Sequence, residues 1–233
     1  MQAFFNRVMN ATPASLLRKA RILPRAESGD LKHVPTTNLR DLLSARPIIR
    51  VDGTYSPSTV SGSLDWNDLA ALLSIAIERS PRRLVEIGTL HGNTTRHLAL
   101  NLPDSCIYTI DLPEDSDPMS TGMKKDDLHL IRGRRLGEEY RSDPSVRNVT
   151  QLLGDTATMD FPEAELFYID GSHTYEYVKN DTEKAIRQGA ANTIIWHDCD
   201  STHPGVTRWL REMVDQGFPV RRVAGTILAV LYR

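Results

Sequence analysis

The distribution of apolar and polar positions changes near residue 62. Before it, stretches such as "ESGDLKHVPTTNLRDLLSARP" are weakly periodic and carry many Pro, Ser, Thr and Arg residues, which predicts an extension of short helices and loops over residues 1–62. From Asp65, a candidate N-cap, Leu69, Leu72, Leu73 and Ala76 recur at helical spacing, predicting a helix of about four turns closed by Ser80 and Pro81. Short apolar runs then alternate with amphipathic ones. "RLVEI" (Arg83 to Ile87), "CIYTI" (Cys106 to Ile110), "NVTQLL" before Gly154, "ELFYI" before Asp170 and "NTIIW" before His197 read as strands. Helices are predicted from about Asn93 to Leu102, Tyr175 to Gln188 and Gly205 to Asp215, and residues 112–147 form a polar excursion with one helix near its end. "PVRRVA" and "TILAVLYR", separated by Gly225, predict a terminal antiparallel pair.

This alternation implies an α/β, Rossmann-like, doubly wound fold. Its sheet is mostly parallel, has seven strands with a terminal antiparallel strand, and is covered on both faces. The chain divides into an N-terminal helical and loop extension (1–62), suited to a dimer or lid role, and one folded domain (63–233). A length of 233 residues with 40% hydrophobic content allows one well-cored domain plus an appendage. Balanced charge, with 28 basic and 30 acidic residues, supplies no global field for nucleic acid or an anionic membrane, so neither partner is expected. Cys106 and Cys199 lie in or beside apolar runs, which argues against a disulfide framework or zinc cluster and for a cytoplasmic protein. The N-terminal "MQAFFNRVMNATPASLLRKARILPR" is basic and mildly amphipathic. Its apolar runs are too broken for a signal peptide or a bilayer span, and it reads as a surface helix or dimer arm, compatible with a homo-oligomer.

Ligands of such sheets bind outside the carboxyl ends of the strands, so the residues just past each strand are the informative ones. Each strand of the parallel core delivers an acid there: Glu86, Asp111, Asp155, Asp170 and Asp198. The first turn, "EIGTLHGNT", has Gly88 and Gly92 where the backbone bends and a ligand approaches. It lacks the third glycine of G-x-G-x-x-G, which disfavours a pyrophosphate and hence a nicotinamide dinucleotide. Asp111 is placed to accept from ribose hydroxyls. A nucleoside without a pyrophosphate satisfies both features. Of seven histidines, His91, His173, His197 and His203 fall on this one edge.

The chain resembles the class I S-adenosylmethionine-dependent methyltransferases, and within them the catechol and macrocin O-methyltransferase-like small-molecule enzymes. The resemblance covers about residues 65–233 and rests on "EIGTLHGNT", Asp111, "GD" at Gly154 and Asp155, "IDGSHTYEYVKND" and "IIWHDCDSTHPGV". It implies that Glu86, Gly88, Gly92 and Thr94 hold the methionine moiety of S-adenosyl-L-methionine, with Thr89 and Leu90 lining the turn. It also implies ribose at Asp111, adenine near Gly154 and Asp155, and Asp170 between the cofactor and the acceptor. Catechol-type enzymes bind Mg2+, which here implies Asp170 and Asp198 as ligands. Their next residue is Asn, whereas this chain has Cys199, so Asp200 is the candidate third ligand provided the strand continues past His197.

His173 is the candidate general base for O-methylation of a hydroxyl on a sugar or phenolic small molecule, because the unperturbed pKa of an imidazole lies near neutrality, with Asp170 as its catalytic companion. Blander roles compete with these. Asp170 can cap the following helix, although Ser172 or Thr174 is better placed. His173, Asp200 and His203 can be loop residues, His197 a core histidine, and His91 a wall of the pocket. "RGRRLGEEYR" reads as a solvated helix face. Tyr55 and Trp66 are acceptor-pocket candidates, with a core role favoured for Trp66. The competing activities are metal-free N-methylation, a family relative with non-methylation chemistry, an NAD-dependent oxidoreductase and a non-catalytic binding module.

Overall fold

Asp65 begins the first long helix as its sequence context demands. Its carboxylate accepts from the backbone N–H groups of Asn67 and Asp68 at 2.8 and 3.0 Å, and helix α1 (Trp66–Arg79) runs to a left-handed cap at Ser80. The computed structural model describes residues 31–51, 62–116, 135–188 and 190–232. The N-terminal arm, Tyr55 and residues 117–134 of the polar excursion lie outside the described residues.

Among the described residues, eight strands form one sheet: β1 (Thr36–Thr37), β2 (Arg83–Ile87), β3 (Cys106–Asp111), β4 (Val149–Leu153), β5 (Leu166–Ile169), β6 (Thr193–Trp196), β7 (Val220–Val223) and β8 (Ala229–Tyr232). Their order is β1-β7-β8-β6-β5-β2-β3-β4, and β8 is antiparallel to both neighbours while the other pairs are parallel. The expectation of seven strands is corrected by β1, which comes from the N-terminal extension. It is too short to read from periodicity and is held by Arg222 N–H donating to the Pro35 carbonyl at 2.7 Å and Ala224 N–H to that of Thr37 at 2.9 Å.

The other α-helices among the described residues are α2 (Asn93–Asn101), α3 (Glu138–Ser142), α4 (Tyr175–Arg187) and α5 (Pro204–Asp215). Alternation along each central strand sends side chains to opposite faces. Val85, Ile87, Phe167, Ile169, Ile194 and Trp196 pack on the side of α4 and α5, while Leu84, Leu166, Tyr168 and Ile195 pack on the side of α1 and α2. Both faces are covered, which is why these strands read as continuous apolar runs. Trp66, favoured for the core, instead begins α1 half-exposed. Strand order reverses between β2, β3 and β5, so the crevice for a ligand opens where the ends of β2 and β5 lie side by side.

Candidate active site

At that reversal the backbone of Gly88 (φ +100°) lies so close to β5 that a Cβ would fall 2.0 Å from the Asp170 carbonyl oxygen. Only glycine meets both the dihedral and the contact. Gly92 (φ +81°) ends the turn and starts α2, and a Cβ there would meet the Tyr140 ring at 2.6 Å. Asp111 clamps the turn from β3. One carboxylate oxygen accepts from the N–H groups of Thr89 and Leu90 at 3.1 and 2.9 Å, and the other from Leu112 N–H at 2.7 Å.

A cavity of about 360 Å³ opens above these strand ends. Gly88, Thr89, Leu90, Gly92 and Thr94 line it from the turn, and Asp111, Gly154 and Asp155 from the ends of β3 and β4. Tyr177 of α4 donates to Asp155 at 3.1 Å on the same wall. Asp170, His173, His197, Asp198 and His203 line the opposite end, and His91 also belongs to the wall.

Glu86 departs from its expected place. Alternation turns it to the α1 and α2 face, fully buried and off the cavity wall. One oxygen accepts from the Thr95 hydroxyl and, at 2.6 Å, from that of Thr109, while the other has no partner. Burial pushes its pKa up to about 8 despite these hydrogen bonds. It ties α2 to β3 through these two hydroxyls and does not line the cavity.

The same alternation brings Asp170 and His197, the residues just past β5 and β6, to the α1 side. His197 Nδ1 lies 3.2 Å from Asp170 Oδ1 and 3.2 Å from Asp198 Oδ1, and its Nε2 lies 3.4 Å from Asp68 Oδ2 on α1. Tyr168 donates to Asp170 Oδ2 at 2.7 Å, and His173 Nε2 meets Asp198 Oδ2 at 2.8 Å. Burial would raise the pKa of Asp198, but hydrogen bonds from His173 and His197 hold it well below the usual carboxylate range. Burial disfavours charge on His197, yet Asp170 foremost, with Asp198 and Asp68, raises its pKa in this arrangement.

Asp200 is not brought to Asp170 and Asp198, and its assignment as third metal ligand is corrected. The strand does not continue: Asp198 adopts φ +59°, a left-handed turn that sends Cys199 into the core and Asp200 outward. Asp200 Oδ1 accepts from Thr202 N–H at 2.7 Å and pairs with His203 Nδ1 at 3.0 Å, so it holds the loop that carries His203. Gly205, at the start of α5, approaches the His173 carbonyl so closely that a Cβ would lie 2.3 Å away, which sets the His173 and His203 rings 4.5 Å apart. Two converging sets result: Asp170, His197 and Asp198, and His173, Asp198 and His203, the ligand-type atoms of each within 4.8 Å of one another. Sequence reasoning missed Asp68. Its signal was an acid one step before Leu69 and four before Leu72, within the stripe that α1 buries.

Residues 85–199 match the family described as "Methyltransferase domain". No curated protein matches the chain in sequence. Among solved structures, the chain is similar to the methyltransferase PaMTH1 of Podospora anserina bound to S-adenosylhomocysteine, at 13% identity and TM-score 0.53 over 77% of this chain and 82% of that one. It is similar to the O-methyltransferase TomG of Streptomyces achromogenes in complex with S-adenosylmethionine, at 15% identity and TM-score 0.50 over 79% and 92% of the two chains. The precorrin-6y C5,15-methyltransferase of Geobacter metallireducens is comparably similar, at 15% identity and TM-score 0.50 over 81% and 100%. At these identities the likeness speaks for the fold alone. Residues 85–199 are thus similar to a methyltransferase domain, and the fold around them is the one these methyltransferases share.

Proposed function

We propose that the protein transfers the methyl group of S-adenosylmethionine to a hydroxyl oxygen of a small molecule. The observation that carries this reading is one cavity in which the glycine turn leads directly to inward-facing carboxylate and imidazole groups. The turn from Gly88 to Thr94 receives the methionine moiety, the Asp111 edge the ribose, and the Gly154–Asp155 wall the adenine. A carboxylate has about four acceptor positions, so Asp111 can clamp the turn and still receive a hydroxyl.

The residues present fit a divalent ion, with a changed third ligand. Asp170 Oδ1, His197 Nδ1 and Asp198 Oδ1 face one another at spacings that ligands of one ion adopt when bond lengths are about 2.1 Å. An ion held there would orient the acceptor's oxygens and lower the pKa of the reacting hydroxyl. Asp198 fixes the His173 tautomer by taking its Nε2–H, which puts the lone pair on Nδ1. The acceptor oxygen attacks the methyl carbon in line with sulfur, an O–C bond forms as the C–S bond breaks, and the hydroxyl proton passes to His173 Nδ1. The donor leaves as S-adenosylhomocysteine, a neutral thioether.

Calorimetry with S-adenosylmethionine and with NAD, followed by methyl-transfer assays on phenolic and sugar acceptors, tests this reading. His173→Ala is expected to lower turnover by about 10²-fold or more while leaving donor affinity unchanged. No measurable binding of S-adenosylmethionine would overturn the reading, and an unchanged rate would remove His173 from it.

A further inference from the structure

The three residues that converge between β5 and β6 share a pattern that a chance cluster would not. Each turns one ligand-type atom inward and has its other polar atom held from outside. Asp170 Oδ2 accepts from the buried Tyr168 hydroxyl, Asp198 Oδ2 from His173 Nε2, and His197 Nε2 faces Asp68 Oδ2. Asp68 is itself fixed, its side chain only 3% exposed and its Oδ1 accepting from Ile227 N–H at 3.0 Å. A carboxylate behind an imidazole keeps the proton on the far nitrogen and presents the near lone pair, the arrangement that orients histidines on metals. The left-handed backbone at Asp198 turns its carboxylate toward the same group, its Oδ1 lying 3.2 Å from His197 Nδ1.

We infer that this site selects a first-row transition-metal ion over magnesium, through His197 as a nitrogen ligand and Asp68 as the residue that positions it. The inference rests on the proposed metal-assisted methyl transfer and deepens it. Magnesium favours oxygen donors in near-ideal octahedra and keeps its waters, whereas imidazole nitrogen suits iron, nickel, copper and zinc, and affinity for such a site rises from manganese through iron to cobalt. An all-oxygen set would have required Asp200, which the turn at Asp198 sends to the Thr202–His203 loop.

The test uses the full chain after dialysis against a chelator. Co2+, Mn2+ and Mg2+ are titrated by calorimetry, with the visible spectrum of bound Co2+ and the electron paramagnetic resonance of Mn2+ as direct readouts, and S-adenosylmethionine affinity is measured on the same samples. The expected result is saturable binding of Co2+ and Mn2+ at least about tenfold tighter than Mg2+. His197→Ala and His197→Asn are expected to abolish this preference. Asp68→Asn should weaken Co2+ binding about 10–100-fold with donor affinity and melting temperature retained. Equal affinity for Mg2+ and Mn2+ overturns the inference, as does Co2+ binding that neither His197 variant disturbs. Binding of no ion at all also overturns it, leaving His197 as an imidazolium paired with carboxylates. Donor binding without transition-metal preference defeats this inference alone, whereas absent donor binding defeats the methyltransferase chemistry beneath it.

Discussion

Glu86 occupies the face of β2 that packs on α1 and α2, so its carboxyl is cut off from water and one oxygen has no partner. Burial raises its pKa from 4.5 to about 8. A carboxyl shifted upward contributes its full stability below the unfolded value and loses it as pH rises through the folded one, because the folded state holds the proton longer. Stability should therefore fall between about pH 4.5 and 8 with a slope approaching about 1.4 kcal/mol per pH unit from this group. Glu86→Gln is expected to flatten that part of the profile, read as urea midpoints at successive pH values; a variant whose decline stays parallel to the parent would show that another group is responsible. The E-x-G-x-x-x-G spacing identified the residue but not its direction. Its neighbours Leu84 and Ile87 read equally well with either face inward, and only the packing of α1 and α2 tells which side is sealed. Asp170, Asp198 and His173 were legible because each follows a strand end, where chemistry concentrates in this architecture.

Elements were the most legible level, since each is specified by neighbours in sequence. The α1 start at Asp65, the strand from Arg83 to Ile87 and the helix from Tyr175 all follow from caps and periodicity. Asp65→Ala removes two hydrogen bonds to the first turn of α1 and is expected to cost about 1 kcal/mol. In a domain of this size that lowers the melting temperature by roughly 2–4 °C. A larger loss, or a change in donor affinity, would mean that the cap also governs the position of Asp68. The end of β6 was where local pattern misled. Alternation would have aligned Asp198 with Asp200, but one residue with positive φ reverses the chain, and His197 takes the place expected of Asp200. Such a reversal has no periodic signal, and aspartate is among the few residues that adopt it readily.

At the scale of the molecule, the sheet extends into the N-terminal extension. Val34 is buried with the α4 and α5 side of the core, and Leu42 with the α1 and α2 side. Val34→Ala should destabilise the domain by about 2 kcal/mol through lost burial and a residual cavity, measured by denaturant unfolding. A change within experimental error would mean that β1 docks without contributing. Among the described residues no helix is long and apolar enough to cross a membrane. The sequence by itself determined the helices, the strands and their alternation, and the row of acids and histidines at the strand ends, because turn chemistry and side-chain period act within a few residues. Tertiary structure alone decided which of those groups meet. Asp68 and His197 stand 129 residues apart and are joined only because strand order stacks β5 beside β6 under α1. A local pattern carries no record of that distance, and so the partner of the site's central imidazole became visible only in the fold.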